Sequence, residues 1–335
     1  MTAERPLPDL VELPAIRAAA QILRGVATRT PLVPFGRPER RHLLKAESLQ
    51  PIGAFKLRGA YTAAAALSPE ERARGLITYS SGNHAQGVAR AARLFGVPAV
   101  IVMPSDAPRL KRARVEADGA QIVVVGTASD ERRRVAEELA AARGLAIIPP
   151  YDDPRIVAGQ GTVGLEIAED LPDVAAVLVP IGGGGLASGV AAAITALVPG
   201  ARLIGVEPEL AADARESLEL DRIVAWPAEL VSRTIADGTR TQSLGRLNFA
   251  HLRAQLDAVI TVSEVEIAAA VRLAAEEARL VVEPSGALPI AAMRFHAHEA
   301  GLVGLDGPIV GVVSGGNVDP DRFLAYLEAP IPPDA

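Results

Sequence analysis

From about residue 40 the chain alternates short apolar runs with stretches whose apolar positions recur every three or four residues. HLLKAE (42–47), GLITYS (75–80), PAVIVM (98–103), AQIVVV (120–125) and LAIIP (145–149) read as strands. Helical periodicity falls between them, near 56–67, 83–95, 108–117 and 128–143. The rhythm resumes with AAVLVP (175–180), RLIGVE (202–207), DAVITV (257–262) and PIVGVV (308–313). Strands that are apolar throughout and joined by helices predict open parallel sheets with helices on both faces, an α/β fold. Two such sheets suit the length better than one. The segment PPYDDPRIVAGQG (149–161) breaks the rhythm with Pro and Gly, and a domain junction is expected there.

Composition narrows the function classes. The 335 residues are 49% hydrophobic but only 3% aromatic, so Ala, Val, Leu and Ile must fill the core. Net charge is −6 and no basic run suits a phosphate backbone, so no nucleic-acid partner is expected. The RRR run at 132–134 is flanked by acidic residues and reads as a solvated helix face. With no cysteine, disulfides and thiolate chemistry are excluded. The N-terminus has no secretory pattern and no apolar run could span a bilayer, so a soluble, cytoplasmic protein without a membrane partner is expected.

Chemistry-bearing residues gather at predicted strand ends, where open parallel sheets bind ligands. In SSGNHAQGVA (80–89) two hydroxyls, a glycine, an amide and an imidazole precede a helical pattern. Either they cap the helix or they present its N-terminus to an anion. PIGGGGLASGVAAAI (180–194) runs from a strand through four glycines into a helix, a geometry suited to a small phosphate. It lacks the Lys-Ser/Thr of a Walker loop. Glu207 lies near the place of a dinucleotide-binding acidic residue, but the four-glycine run does not match that fingerprint. Lys56, in ESLQPIGAFKLRGA (47–60), opens a small-residue helix after a Pro-Gly turn. A surface charge is the ordinary role of such a lysine; burial would lower its pKa and make it nucleophilic. VSGGNVD (313–319) repeats the hydroxyl, glycine and amide pattern. Asn317 or Asp319 could cap the last helix, or Ser314 could offer a hydrogen bond to a ring nitrogen.

These motifs, with VEP followed by an Asp and with EPSGA, stand in the order found in serine/threonine dehydratases and serine racemases. The chain resembles that family over essentially its whole length. The resemblance implies fold type II, similar to tryptophan synthase β, with pyridoxal 5'-phosphate as cofactor. Residues 1–51 plus 151–330 would form a large cofactor-binding domain and 52–150 a small one. Lys56 would carry the cofactor beside Phe55. Gly182, Gly183, Gly184, Gly185 and Leu186 would hold its phosphate, with Gly238 nearby. Asn83 would face the ring hydroxyl and Ser314 the pyridine nitrogen. Ser80, Ser81, Gly82, Asn83 and His84 would bind the substrate carboxylate, with Ser81 on the ring face opposite Lys56. Two departures stand out. Ala54 replaces the commoner serine before Phe55-Lys56, which removes a hydroxyl. The chain also leaves no room for the C-terminal regulatory domain of longer threonine dehydratases, so branched-chain feedback is not expected.

The implied reaction is dehydration and deamination of a 3-hydroxy amino acid, L-threonine or L-serine first, to a 2-oxo acid and ammonia. A serine racemase, or a dehydratase specific for 3-hydroxyaspartate or phenylserine, would use the same residues. Outside the family, a nucleotide-binding dehydrogenase or a non-catalytic binding module could use the glycine loop. A homodimer or higher homo-oligomer is expected. In VEPELAADARESLE (206–219), Glu207 and Asp213 lie six residues apart across a short loop, and oxygen ligands of this kind suit magnesium or calcium. The resemblance implies a metal held by Glu207, the Ala211 carbonyl and Asp213, in a structural role.

Overall fold

The computed structural model describes residues 6–80, 82–126 and 129–333. It contains two sheets. In chain order the strands are β1 (Leu32–Pro34), β2 (His42–Ala46), β3 (Leu76–Tyr79), β4 (Ala99–Pro104), β5 (Gln121–Val125) and β6 (Ala146–Ile147). Then follow β7 (Ala176–Pro180), β8 (Arg202–Pro208), β9 (Ala258–Val262) and β10 (Ile309–Val313). Six strands pair in the order β1-β2-β10-β7-β8-β9, and four in the order β5-β4-β3-β6. Every pairing is parallel except β1 with β2. The inner strands β4, β7 and β10 are buried at every position, which explains their unbroken apolar runs.

Three local expectations change. The antiparallel edge strand β1 is too short, and too close to Pro31 and Pro34, for any period to show it. LAIIP contributes only the two-residue β6. The junction segment does not stay irregular: from Pro154 it becomes a 17-residue helix, Pro154–Asp170, capped by the Asp153 side chain on the Arg155 N–H. Proline at the first helical position costs no hydrogen bond, so the Pro that signals a break here opens a helix. The RRR run is on the helix Ser129–Arg143, where Arg133 pairs with Glu137 and Arg134 with Glu138.

Scarce aromatic residues make for close helix packing. The helices Lys56–Ala65 and Pro154–Asp170 meet at Gly59 and Gly159; a Cβ on Gly159 would lie 2.6 Å from the Gly59 Cα. That contact sets the depth of the helix bearing Lys56. Register then aligns the strand ends. Val313 pairs with Ala46, and Pro180 with Val206, so the loops after β2, β7, β8 and β10 share one edge. An isolated bridge between Ala54 and Gly315 joins the start of the Lys56 helix to the loop after β10. Among the described residues, no helix is long and apolar enough to cross a membrane.

Candidate active site

Lys56 is the first residue of its helix, with Phe55 at the N-cap position. Phe55 packs into the apolar cluster of Val163, Ile181 and Leu186, and its N–H donates to the Ser314 carbonyl at 3.1 Å. Part of the Lys56 side chain stays accessible, and its amine donates to the Pro150 carbonyl at 2.7 Å. Dense protein around the amine lowers its pKa to about 8 by desolvation. A substantial fraction is therefore neutral near physiological pH. Two residues on, Arg58 is buried and pairs with Glu47 at 2.8 Å and Glu166 at 2.7 Å. Lys45 meets the other Glu166 oxygen at 2.6 Å. Two cations and two carboxylates thus balance behind the lysine.

Ser80 directly follows β3, and the next helix runs Asn83–Phe95. Its N-cap is Gly82, which has no side chain to offer, while the Ser80 hydroxyl accepts the Gly82 N–H at 3.2 Å. Among the described residues no side chain caps this helix start. Ser81 lies outside the described residues. His84 is buried with Nε2 3.0 Å from the Ile148 carbonyl. Burial, then the charge of Lys56, lowers its pKa to about 3, so the ring is neutral.

The glycine loop follows β7. Gly184 has φ 92°, a left-handed conformation that suits glycine, and caps the helix Gly185–Leu197. A Cβ on Gly183 would collide with the Tyr151 ring, and one on Gly182 would lie 3.2 Å from the Gly238 carbonyl. Gly238 in turn donates its N–H to the Ser285 hydroxyl at 2.8 Å. Leu186 is buried below the loop. The Thr241 hydroxyl lies 3.5 Å from the Gly182 Cβ position and is buried without a hydrogen-bond partner among the described residues.

Ser314 is buried at the end of β10. Asn83 donates through Nδ2 to Glu283, and its Oδ1 accepts from Asn317 at 2.8 Å. Asn317 also donates to the Ile52 carbonyl at 2.9 Å and accepts from Arg114, so it ties loops together rather than capping the last helix. Asp319 occupies that cap position, but its side chain accepts from the Leu110 N–H instead. Glu283 pairs with Lys111 at 3.0 Å, and Lys111 pairs with Asp237 at 2.6 Å.

Glu207 and Asp213, two of the three acidic residues of VEPELAAD, lie close to each other. Glu207 is buried and accepts the Ala214 and Arg215 N–H groups at 3.0 and 2.8 Å. Asp213 opens the helix Asp213–Glu219, and its buried Oδ2 has no hydrogen-bond partner among the described residues. Burial, then the Asp213 charge, pushes the Glu207 carboxyl well above the usual range; burial, then Glu216, raises Asp213 to about 7. Ala211 is buried in the short turn Glu209–Ala211. Among the described residues no three acidic or His side chains cluster as metal ligands, so a cation here would also need carbonyl or water oxygens.

A family model described as pyridoxal-phosphate dependent enzyme matches residues 23–315. The chain belongs to that family. It is 44% identical to the L-threo-3-hydroxyaspartate ammonia-lyase of Saccharomyces cerevisiae, over 84% of this chain and 85% of the relative. It is 37% identical to the serine racemase of Schizosaccharomyces pombe, over 93% of this chain and 96% of the relative. Among solved structures, maize serine racemase superimposes with a TM-score of 0.86 at 34% identity, covering 95% of this chain and 97% of that one. The two-sheet architecture is accordingly fold type II, and a nucleotide-binding dehydrogenase is set aside.

The residues fit the family's cofactor. A desolvated lysine amine, an open glycine loop at a helix start and the unpartnered Thr241 hydroxyl are what an aldehyde and a phosphate require. Reading the sequence alone missed Lys111, Asp237, Tyr151 and Thr241. Glu283 stands in the quoted EPSGA motif and Asn317 in SGGNVD, so their neighbourhood was visible but their partners were not. Tyr151 follows the carbonyl that holds Lys56, and burial raises its phenol to about 12, which keeps it a neutral hydrogen-bond donor.

Proposed function

We propose that this chain is an ammonia-lyase that converts a 3-hydroxy amino acid, with L-threonine or L-serine first, to a 2-oxo acid and ammonia. The observation that carries the proposal is the desolvated Lys56 amine beside Phe55, with the Ser314 backbone bonded to that turn. Pyridoxal phosphate, when bound, supplies the electron sink for bond breaking at Cα. Lys56 would hold the cofactor through its amine, and the same amine would carry the Cα proton of the substrate. Gly182, Gly183, Gly184, Gly185 and Leu186, with Gly238, hold the phosphate. Asn83 would hold the ring hydroxyl. Ser314 would offer the ring nitrogen a neutral hydrogen bond, a setting that suits loss of the β-hydroxyl. Ser80, Gly82, Asn83 and His84 bind the carboxylate, and Ser81 acts on the face opposite Lys56.

Residues 1–51 plus 151–330 act as the cofactor domain and 52–150 as the small domain, in a cytoplasmic homodimer or larger homo-oligomer. A magnesium or calcium ion at Glu207, the Ala211 carbonyl and Asp213 steadies the loop; the unpartnered Asp213 oxygen supports it. The test is a product assay on the purified holoenzyme with L-serine, L-threonine, L-threo-3-hydroxyaspartate and phenylserine, measuring 2-oxo acid and D-amino acid. Release of 2-oxo acid from threonine or serine is expected. Only D-serine would make the chain a racemase, and only oxaloacetate would make hydroxyaspartate its substrate. Similarity to both a hydroxyaspartate ammonia-lyase and a serine racemase gives those outcomes their weight.

A further inference from the structure

The stretch assigned to the substrate carboxylate contains no fixed cation. Ser80, Gly82 and Asn83 are neutral, and burial holds His84 neutral as well. Backbone N–H groups and a helix dipole can receive an anion, but a carboxylate leaving water also gains from a nearby countercharge. An ammonium does stand beside this loop. A Cβ built on Gly82 would lie 3.7 Å from both Cδ and Nζ of Lys111, which comes from the helix Arg109–Ala117. Lys111 is only 1% exposed. Arg114, one turn along the same helix, is instead directed to Asn317 and the Ile52 carbonyl.

We propose that Lys111 supplies the countercharge for the α-carboxylate of the substrate, acting through the Gly82 loop as a positioning residue. The inference rests on the reading of Ser80–His84 as the carboxylate loop. Lys111 is not free to do this alone, because Asp237 and Glu283 flank it at 2.6 and 3.0 Å. Those partners keep an ammonium in a buried place, and they also oppose a further anion. The charge of the cluster therefore sets carboxylate affinity. Glu283 also receives the Asn83 amide, so the same lysine steadies a loop residue.

The test compares glycine with glycinamide, which differ in the carboxylate, by calorimetric titration of the holoenzyme. Lys111→Met should weaken glycine at least about tenfold, as a unit charge within several ångströms would. Glycinamide should change less than about threefold. Lys111→Arg should restore most of the preference. Asp237→Asn, which removes an opposing charge and keeps the lysine, should tighten glycine and leave glycinamide unchanged; it decides the matter if Lys111→Met does not fold. Equal weakening of both ligands in Lys111→Met, or an unchanged preference in both variants, would overturn the role of Lys111. A parent enzyme that binds glycine no better than glycinamide would instead refute the carboxylate-loop reading itself, and the inference with it.

Discussion

Two buried charge groups lie close to the candidate site and are built in opposite ways. Behind Lys56, Lys45 and Arg58 face Glu47 and Glu166 at 2.6 to 2.8 Å, and opposite charges are equal in number. In the second group, Glu207 and Asp213 are both acidic, and one Asp213 oxygen has no hydrogen-bond partner among the described residues. Buried ions cost several kcal/mol each unless they are matched. The first group meets that cost within the chain and can hold the Lys56 helix without help. The second meets it only by taking up protons or a cation. A balanced network thus marks scaffold, and an unbalanced one marks a place for a ligand.

The sharpest separation of scaffold from chemistry comes from two variants. Lys56→Ala should lower activity by at least about a thousandfold, because it removes both the attachment point and the proton carrier. Its stability should change little, and borohydride-reduced parent enzyme should yield a pyridoxyl label on the Lys56 peptide. A label on another lysine would refute the assignment. Arg58→Met should do the reverse in kind, costing about 3–5 kcal/mol in denaturant unfolding by leaving Glu47 buried and unpaired. A fully stable Arg58→Met would break the comparison, since the network would then carry no structural weight.

The acidic pair should respond to pH and metal. Burial raises the Asp213 pKa to about 7, and Glu207 is raised too, so the cation-free folded state holds protons that the unfolded chain releases. Stability of chelator-treated protein should then fall as pH rises from about 4 to about 7, by on the order of a few kcal/mol. Magnesium or calcium should remove that slope. The single tryptophan can report it: Trp226 donates to Glu216 at 2.6 Å, on the helix that begins at Asp213. No change in Trp226 fluorescence or in melting behaviour on adding either ion would show that the pair is balanced by protons alone.

The smallest effect concerns Lys56 itself. With its pKa lowered to about 8, attachment of pyridoxal phosphate to the apoenzyme should quicken as pH rises towards 8 and level off above it. Stopped-flow absorbance measures this directly. A rate still climbing towards pH 10 would mean that the amine is solvated, and that the network behind it does not hold it in a dry position.

Periodicity carried most of the architecture. Among the described residues, nine of the ten strands lie within the apolar-rich segments of the sequence, and the runs are unbroken where a strand is covered on both faces, as in β4, β7 and β10. The exception, Leu32–Pro34, is three residues long and antiparallel, below the length at which any pattern forms. The helix from Pro154 was hidden for a different reason: Pro and Gly signal a break locally, but Gly159 is needed there for contact with Gly59. Such a need belongs to a neighbour from a distant part of the chain.

The site divides along the same line. Lys56, Asn83, Ser314 and the four glycines were legible because each stands in a short motif whose chemistry is local: an amine at a helix start, an amide or hydroxyl at a strand end, N–H groups freed by glycine. Lys111, Asp237 and Glu283 come from three distant segments, and Lys111 stands in the ordinary-looking run RLKRAR. By itself the sequence determined the two-sheet rhythm, the glycine loop and the lysine that opens the 56–65 helix. Tertiary structure alone decided which charges share a partner, because burial and pairing are properties of the space around a side chain, and no spacing along the chain records them.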